Sequence, residues 1–400
     1  MSALAQLVRR LRFITDRHPK IKTAAVNADR HLGHALHSIG TLFPILIRPQ
    51  TRKMTVAITA RCNLRCLGCR YERDFMPGEQ LPLAMVRNLL DDGSSLGVST
   101  VRFYGGEPLL HPDLPEMVRY ANQVGIRPYV TTNGVLLRSR FQTLYDAGLR
   151  SLSLGFYGTG ERYDQYVQRP KRFSEVEGGI AAVRDRYGKA VDLQLNFLLM
   201  RPTCTLEALE TAWQFAERYD MGFRIDLVHY SLPYFTEGPD RQLQFRPEDR
   251  RAIEAVAVEL EHLKCAQPER LRESLHGIRS IPDWLLKGPE MRVPCDAYQM
   301  IWVGADGTVQ LCYVTFRLGN LHEQRLATML YGDKHRQAAR NAFALKCPNC
   351  HCERDSRVQK HGPSRRLYSK PLTSLVPEVS ITTTDCNGAR NRRHLKPIGM

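Results

Sequence analysis

The stretch MTVAITARCNLRCLGC, residues 54–69, places an apolar run directly before a loop that holds three cysteines. Residues 54–60 are apolar or β-branched throughout, a pattern typical of a buried parallel strand. Cys62, Cys66 and Cys69 follow in a C-x3-C-x2-C pattern. Because thiolates are soft ligands that suit iron–sulfur clusters and zinc, the loop predicts a metal centre at the end of this strand. A zinc site or three buried thiols without a metal are the alternatives.

Five further apolar runs of strand length follow the first, each separated from the next by a helical segment. The predicted strands are 54–60, 100–105, 127–132, 150–156, 191–199 and 223–228, and the predicted helices lie near 83–92, 115–124, 139–146, 174–187 and 205–219. Alternating strands and helices indicate βα units and a parallel sheet, which right-handed crossovers curl into an open or partial barrel. We therefore predict an α/β fold built on a partial (βα)6 TIM-like barrel, with a small C-terminal α+β domain.

Small and polar residues follow the second and third predicted strands as well. Gly105, Gly106 and Glu107 come after the second strand, and Asn133 comes after the third. In parallel α/β barrels the functional loops follow the carboxyl ends of the strands, so we expect these residues on one rim with the cysteines. A cubane cluster usually takes four cysteine ligands, and three in one loop leave one iron without a protein ligand. Such an open coordination position is what a metal centre needs to bind and activate a small molecule.

The three-cysteine loop after the first strand, together with GGEP after the second, resembles the radical S-adenosylmethionine (SAM) superfamily over about residues 54–235. The resemblance implies a [4Fe–4S] cluster held by Cys62, Cys66 and Cys69, with SAM chelating the fourth iron. An electron from the reduced cluster would cleave SAM to methionine and a 5′-deoxyadenosyl radical, which removes a hydrogen atom from a substrate. The resemblance implies no catalytic side chain besides the residues that bind the cluster and SAM.

The resemblance also implies a set of SAM-binding residues, namely Tyr71, Gly105, Gly106, Glu107, Asn133, Ser153 and Arg169. Glu107 would accept hydrogen bonds from the SAM ammonium, and the two glycines would let the backbone come close to SAM. Ser153 and Arg169 resemble polar positions that hold the ribose or the carboxylate. Arg169 could instead be a surface ion-pair residue. Tyr71 would contact the adenine of SAM.

A second cysteine group lies at residues 291–352. Asp306-Gly307, between alternating apolar runs, predicts a hairpin that Cys295 and Cys312 flank. With Cys347, Cys350 and Cys352 further on, the pattern resembles the SPASM/twitch auxiliary-cluster domain. It implies a second [4Fe–4S] cluster held by the first two cysteines and two of the last three. A full SPASM domain has seven cysteines, so we expect one auxiliary cluster; a four-thiolate zinc site is the alternative.

The remaining cysteines and a group of histidines fit neither cluster. Cys204 and Cys265 are expected to be ordinary buried thiols, and Cys386 is isolated near the C-terminus. His31, His34 and His37 recur every three residues, but nothing nearby completes a coordination shell for a metal ion.

The 400 residues include 57 basic and 41 acidic residues, and the net charge of +16 lies mostly at the two ends. Residues 1–53 carry a net charge of +8 and residues 353–400 one of +6. Leu4, Leu7, Val8, Leu11 and Ile14 have helical spacing with arginines interleaved, so residues 1–17 could form a basic amphipathic helix. Basic ends attract phosphates, anionic lipids or acidic partners, although solvated tails are the simpler interpretation.

Five segments are predicted from these patterns. They are a basic N-terminal extension (1–53), the barrel (54–235), a helical connection (236–290), the auxiliary-cluster domain (291–352) and a basic C-terminal tail (353–400). No run of 18 apolar residues and no secretory signal is evident, and eleven cysteines are too few for a disulfide scaffold. We expect a cytoplasmic protein that could associate with a membrane surface.

The predicted activity is oxidation or modification of a peptide or small metabolite by a radical SAM oxidoreductase or maturase. A reductant such as flavodoxin or ferredoxin would supply the electron, and an auxiliary cluster could accept one from the substrate radical. The alternatives are a lipid- or sugar-modifying radical SAM enzyme at the membrane surface and a non-catalytic iron–sulfur or zinc scaffold. A nucleic-acid partner is not expected, because the basic ends lack interleaved aromatic residues for base stacking.

Overall fold

A computed structural model describes residues 19–230, 241–313 and 315–372, with side chains from residue 31 onward. The strands of this part of the chain are β1 (Lys53–Thr59), β2 (Thr100–Gly105), β3 (Arg127–Thr132), β4 (Ser151–Phe156), β5 (Asp192–Leu199), β6 (Gly222–Leu227), β7 (Met300–Val303), β8 (Thr308–Gln310) and β9 (Arg317–Asn320). All six strands predicted from the sequence are confirmed, and no bound differs by more than one residue.

The five predicted helices between these strands are confirmed as well. The helices up to β6 are α1 (Pro19–Leu42), α2 (Leu83–Ser95), α3 (Leu114–Gln123), α4 (Leu137–Asp146), α5 (Gly160–Val167), α6 (Arg172–Tyr187) and α7 (Leu206–Arg218). After β6 come α8 (Arg250–Ala266), α9 (Leu275–Arg279), α10 (Ile281–Lys287), α11 (Leu326–Met329), α12 (Asp333–Phe343), α13 (Arg354–Lys360) and α14 (Gly362–Leu367). Local signals mark several ends: the Thr205 hydroxyl caps α7 by accepting from the Ala208 amide at 3.1 Å.

The strands form a single sheet in the order β6-β5-β4-β3-β2-β1-β7-β8-β9 within the described residues. Strands β1 to β6 pair in parallel, each with its neighbour in sequence, so the predicted α/β class and open partial barrel are confirmed. Each crossover carries a helix, and apolar residues of the strands and helices share one core. Val101 and Phe103 on β2, for example, are fully buried in the same cluster as Leu89 of α2.

The opposite face of the barrel strands is largely polar. Because side chains alternate along a strand, Arg102 and Tyr104 lie on the face of β2 that Val101 and Phe103 do not occupy. The side chains of this inner face that line the central cleft are Arg102, Tyr104, Thr131, Asn196, Leu198, Arg224 and Asp226. Barrel interiors are usually filled with branched apolar side chains, so a polar lumen indicates a place for a ligand.

The auxiliary-cluster region extends the barrel sheet, which the sequence did not predict. Strand β7 pairs in parallel with β1, so that Lys53 lies opposite Met300 and Val56 opposite Val303. Strands β7, β8 and β9 then form an antiparallel meander around the predicted Asp306-Gly307 turn, where Gly307 has a φ of +79°. The regions are therefore hydrogen-bonded to each other, and their division into separate domains stays a prediction.

Residues 353–372 differ from the predicted solvated tail, because they form α13 and α14 against the rest of the protein. Arg354 and Arg357 are buried, so part of the basic character of this end is internal. The apolar stripe of residues 4–14 and Cys386 lie outside the described residues. Within the described ranges, no helix combines the length and hydrophobicity needed to cross a bilayer.

Two minor expectations are corrected or refined by the structure. Cys204 is a buried thiol as predicted, whereas Cys265 is exposed near the end of α8, on the outer face of that helix, and is disulfide-bonded. The three histidines of α1 do not act as a set: His37 is fully buried and packs edge-on against Phe343, with ring centroids 5.0 Å apart, whereas His31 is exposed.

Candidate active site

The cysteine loop follows β1 at the carboxyl end of the barrel, as predicted. Cys62, Cys66 and Cys69 are partly exposed, and all three line the central cleft. Two backbone hydrogen bonds fix the loop to the end of α5: the Arg65 amide donates to the Val167 carbonyl at 3.1 Å, and the Leu67 amide donates to the Tyr166 carbonyl at 2.8 Å. The loop is therefore held open toward the cleft by the neighbouring helix.

Desolvation favours the protonated form of two thiols of this loop, Cys62 and Cys66, when no metal is bound. Desolvation raises the pKa of Cys62 to about 12, and it raises the pKa of Cys66 well above its ordinary value. The neighbouring sulfurs act in the same direction, because thiolates that lie close together repel each other. Thiolate formation at neutral pH must therefore be coupled to metal binding, with release of protons.

The donor set of this loop fits an iron–sulfur cluster: three soft thiolates face a cleft that leaves room beside them. In the described ranges, no three His, Cys, Asp or Glu side chains converge on the position of one metal ion. Cys62, Cys66 and Cys69 are the residues that would hold the cluster.

Two polar side chains brace the loop. The side-chain nitrogen of Asn133, Nδ2, lies 3.9 Å from Cys62 Sγ and donates to Asn63 Oδ1 at 2.8 Å, so this predicted residue lies beside the cysteines. Arg73, which the sequence analysis missed, donates to the carbonyl oxygens of Cys66, at 3.2 Å, and Cys69. Arg73 lies on a π-helical turn at Tyr71–Phe75, four residues after the last cysteine, and that spacing was the available signal.

Gly105 and Gly106 allow the end of β2 to pass against the base of the cysteine loop. A Cβ on Gly105 would lie 2.1 Å from the Thr59 carbonyl oxygen, and one on Gly106 would lie 2.3 Å from that of Ala60. Gly105 also has a φ of +139°, where other residues are strained. The contact of this backbone with SAM stays a prediction. Its close contact with the backbone before the cysteine loop already requires both glycines.

Glu107 is not among the residues that line the cleft, and its predicted contact with the SAM ammonium stays a prediction. The carboxylate is fully buried and accepts hydrogen bonds from the Leu109 amide at 2.9 Å, the Thr132 hydroxyl at 2.7 Å and the Asn133 amide at 2.7 Å. Burial raises the pKa of Glu107 to about 7, although these donors oppose the shift. In this structure, Glu107 joins the ends of β2 and β3 and thereby positions Asn133.

The other predicted SAM-binding residues fall at different distances from the cleft. Tyr71 lines it but is nearly buried, and its ring packs at 5.6 Å from that of Phe75. Ser153 lies on the inner face of β4, where its hydroxyl is 2.7 Å from that of Thr131. Arg169 follows α5, is not among the residues that line the cleft, and donates to the Gln168 carbonyl at 3.2 Å. Their roles toward SAM stay predictions.

The central cleft has a volume of about 530 Å³, within the range of small-molecule sites. The cysteine loop lies on one side of it, and the polar inner face of the barrel forms its floor. Residues from the auxiliary region close the far side, including Tyr313, His351 and Arg354. None of these three was predicted as a site residue, because only the tertiary structure brings them to the barrel.

The second cysteine group surrounds a separate, nearly closed cavity of about 20 Å³. Its five cysteines all line this cavity, namely Cys295, Cys312, Cys347, Cys350 and Cys352. The predicted auxiliary-cluster residues are thus brought together, and four of the five would suffice for a cubane cluster. Cys352 alone among these five also lines the central cleft.

Buried charges shape this cavity. Arg357 is fully buried, donates to the carbonyl oxygens of Val293 and Cys350, and lies over the Trp284 ring at 4.7 Å. A hydrogen bond from the Cys352 thiol lowers the pKa of Cys350 to about 7, and the same bond raises the pKa of Cys352. The cavity therefore favours a thiolate at Cys350, one of the predicted ligands.

Comparison with known proteins agrees with this geometry. Residues 56–212 match the radical SAM superfamily, and residues 295–353 match the SPASM iron–sulfur cluster-binding domain. GTP 3′,8-cyclase of Chlorobaculum tepidum is 34% identical over 148 residues, which cover 36% of this chain and 44% of that protein. GTP 3′,8-cyclase of Mycobacterium marinum is 38% identical over 137 residues, which cover 33% of this chain and 38% of that protein.

The chain thus spans less than half the length of these two relatives. Among solved structures, native anSMEcpe with bound AdoMet and Kp18Cys peptide superposes with a TM-score of 0.59 and 16% identity. That match covers 81% of this chain and 98% of the solved one, and it supports the fold. The chain belongs to the radical SAM superfamily: it is an enzyme that binds SAM and a [4Fe–4S] cluster, and its SPASM domain holds an auxiliary cluster.

Proposed function

We propose that this enzyme abstracts a hydrogen atom from an anionic small molecule, or from one side chain of an anionic peptide, that enters the barrel lumen. The outcome is oxidation or modification of that substrate. The observation that carries the proposal is the polar lumen, and above all the cation of Arg102 at its floor.

Arg102 has neutral partners in the described part of the chain. Its Nε donates to the Thr131 hydroxyl at 2.8 Å and its Nη1 donates to the Tyr313 hydroxyl at 3.0 Å, while its guanidinium lies 5.0 Å from the Tyr104 ring centroid. No described carboxylate is paired with it directly: Asp226 acts on its charge from further away, and Asp226 and Glu273 are paired with Arg224 and Arg354. A partly desolvated cation gains most from a charged partner, and a guanidinium binds a carboxylate or phosphate through two parallel hydrogen bonds.

Other lumen groups lack hydrogen-bond partners among the described residues. Asn196 Oδ1, Glu273 Oε2 and His351 Nδ1 are buried atoms of this kind, and all three residues line the cleft. Because an unpaired buried polar group costs roughly 1–3 kcal/mol, these atoms support a ligand that carries its own donors. A carboxylate or phosphate compound with hydroxyl or amino groups has the matching chemistry.

The cofactors supply the radical chemistry: a reduced cluster and SAM give a 5′-deoxyadenosyl radical when bound. The chain itself binds and orients the substrate and excludes water. Leu64, Tyr157, Tyr166 and Leu198 contribute apolar surface to the cleft, which limits side reactions of a radical with solvent. SAM must share this volume, so only a small substrate or one part of a peptide fits beside it.

Radical SAM enzymes need an electron donor, and we propose a flavodoxin or ferredoxin in the cytoplasm for this role. The net charge of +16 favours encounter with an acidic redox partner. Cys352 lines both cavities, which supports an auxiliary site next to the lumen. That position supports a role for the auxiliary cluster in accepting an electron from the substrate radical.

The test is deuterium transfer. Anaerobically reconstituted enzyme is given SAM, dithionite and separate deuterated pools of anionic metabolites, neutral metabolites and peptides, and 5′-deoxyadenosine is analysed by mass spectrometry. We expect deuterium from an anionic pool, with loss of that transfer in Arg102→Gln and its retention in the control Arg127→Gln, whose side chain is exposed at the start of β3. Transfer from the neutral pool alone would contradict the proposal.

A nucleoside triphosphate is the second candidate substrate. It is favoured by the two relatives named GTP 3′,8-cyclase and by the suitability of Arg102 for a phosphate. GTP deuterated in the ribose distinguishes the two: deuterium in 5′-deoxyadenosine would support the nucleotide, and its absence, with transfer from another anionic pool, would exclude GTP.

A further inference from the structure

An unusual cluster of exposed apolar side chains lies where α1 ends. We call Leu42, Phe43, Ile45 and Leu46 the apolar tip; they are exposed at 76, 58, 65 and 51%. The other exposed large apolar side chains in the described part of the chain are Leu32 and Ile39, on α1 itself, and the isolated Leu206 and Leu367. Contiguous exposed apolar groups of this kind mark an interaction site, whereas single exposed leucines need no explanation.

The residues next to the apolar tip are held in place by packing and backbone hydrogen bonds. Ile47, directly after it, is buried in a cluster with Tyr298 and Phe343. The Phe43 amide donates to the Ile39 carbonyl at 2.8 Å, and the Gln50 amide donates to the Tyr298 carbonyl at 2.9 Å. The exposure of the tip is therefore set by the packing of its neighbours, and it is not the result of a frayed helix end.

Basic side chains lie beside the apolar tip. Arg48, Arg336 and Arg340 line a concave surface of about 580 Å³, together with Asp333 and Gln337; we call these five residues the basic rim. Helix α12, which carries four of them, packs against the Pro44–Leu46 turn of the tip. Arg336 pairs with Asp333 at 2.8 Å, and Arg340 Nε is a buried donor without a partner among the described residues. Three cations against one carboxylate leave this surface positive.

We propose that the apolar tip and the basic rim bind the surface of an anionic phospholipid bilayer. The apolar side chains would enter the boundary between headgroups and acyl chains, and the arginines would contact lipid phosphates in the adjoining plane. An acidic protein partner would match the charge alone, whereas a bilayer matches both the exposed apolar groups and the cations next to them. The net charge of +8 on residues 1–53 adds to the attraction. This surface is separate from the radical site, so the proposal does not depend on the proposed function.

Vesicle flotation with the full-length, cluster-loaded protein tests the proposal. We expect binding to phosphatidylcholine vesicles that contain phosphatidylglycerol, weak binding to phosphatidylcholine alone, and release at high salt. Phe43→Ser/Ile45→Ser should weaken binding by at least about tenfold, because it removes two inserted side chains. Arg336→Gln/Arg340→Gln should weaken it by about 10- to 30-fold and reduce its salt dependence.

The matched control is Leu206→Ser/Leu367→Ser, which removes two exposed apolar side chains elsewhere and should bind as the wild type does. All variants should keep their cluster content and SAM cleavage, which shows that they are folded. The proposal is overturned if the wild type does not float with anionic vesicles, or if the control loses binding equally. It is also overturned if Phe43→Ser/Ile45→Ser converts a dimer into a monomer without changing vesicle binding, because the tip is then an interface between two copies.

Discussion

The two cysteine sites are built in opposite ways. Cys62, Cys66 and Cys69 come from one loop of eight residues and face a cleft of about 530 Å³. The auxiliary cysteines come from three segments spread over residues 295–352 and enclose a cavity of about 20 Å³. An open site leaves room for a ligand that is not protein, whereas a closed one suits a cluster held by protein alone. We therefore expect the radical chemistry at the open cysteine loop and a supporting role for the closed auxiliary cavity.

The arginines that brace the two sites show the same contrast. Arg73 is exposed and donates to carbonyl oxygens of the open loop, while Arg357 is fully buried and donates to carbonyl oxygens around the closed cavity. Water can replace the first set of hydrogen bonds but not the second. The closed site should therefore contribute more to stability, and the open site more to activity.

The largest effect is expected from removing single cysteines. Cys69→Ala should reduce SAM cleavage to background, because two remaining thiolates cannot hold the cluster. Cys347→Ala should lower iron content but leave measurable SAM cleavage. Both are read out as 5′-deoxyadenosine formed with dithionite and as iron bound per chain. Equal loss of cleavage in the two variants would remove the distinction between the sites, and Cys204→Ala, which lines neither cavity, serves as the control.

A large loss of stability is expected from Arg357→Met. It leaves two buried carbonyl oxygens without a donor and should lower the free energy of unfolding by about 3 kcal/mol. Arg73→Met should cost no more than about 1 kcal/mol, because its site is exposed. Thermal unfolding of the apo-protein measures both, with Arg366→Met, an exposed residue of α14, as the control. A larger loss of unfolding free energy in Arg73→Met than in Arg357→Met would contradict the expectation that the closed site contributes more to stability.

The pH dependence of stability tests the buried carboxyl beneath the open loop. Burial raises the pKa of Glu107 from 4.5 to about 7, so folding favours its protonated form. The stabilisation is complete below pH 4.5 and is lost as the pH rises through 7, by about 3 kcal/mol. We expect the stability of the wild type relative to Glu107→Gln to fall between pH 5 and 8, measured by denaturant unfolding. A rise in this difference would contradict the assigned environment.

The smallest loss of stability is expected from the surface ion pair that joins the auxiliary region to the barrel. Arg325 forms a two-point ion pair with Asp92 of α2, at 2.7 and 3.0 Å, but the arginine is half-exposed. Arg325→Ala should therefore cost only about 1 kcal/mol. Arg250→Ala breaks an exposed ion pair with Glu254 on the same helix and should lower the free energy of unfolding by only about 0.3 kcal/mol. Equal midpoints for the two variants in thermal unfolding would show that the surface tie is negligible.

Sequence reasoning succeeded where the signal is local. The strands, the crossover helices and the cysteine loop each depend on residues close together in the chain, and periodicity or spacing reveals them. It identified Glu107 but did not reveal that its carboxyl joins the ends of β2 and β3, because a motif names a residue without showing its hydrogen-bond partners. It also treated residues 353–372 as a tail, because a run of basic residues gives no sign that Arg357 is enclosed.

By itself, the amino-acid sequence determined the parallel barrel, the three thiols at its rim and the presence of a second thiol group, because these follow from short-range patterns. The tertiary structure alone decided that β7 joins β1, that Arg102 meets Tyr313 in the lumen, and that five separated cysteines share one cavity. Such contacts join residues more than 200 positions apart, or close a cavity from several segments, and they depend on the packing of the whole chain.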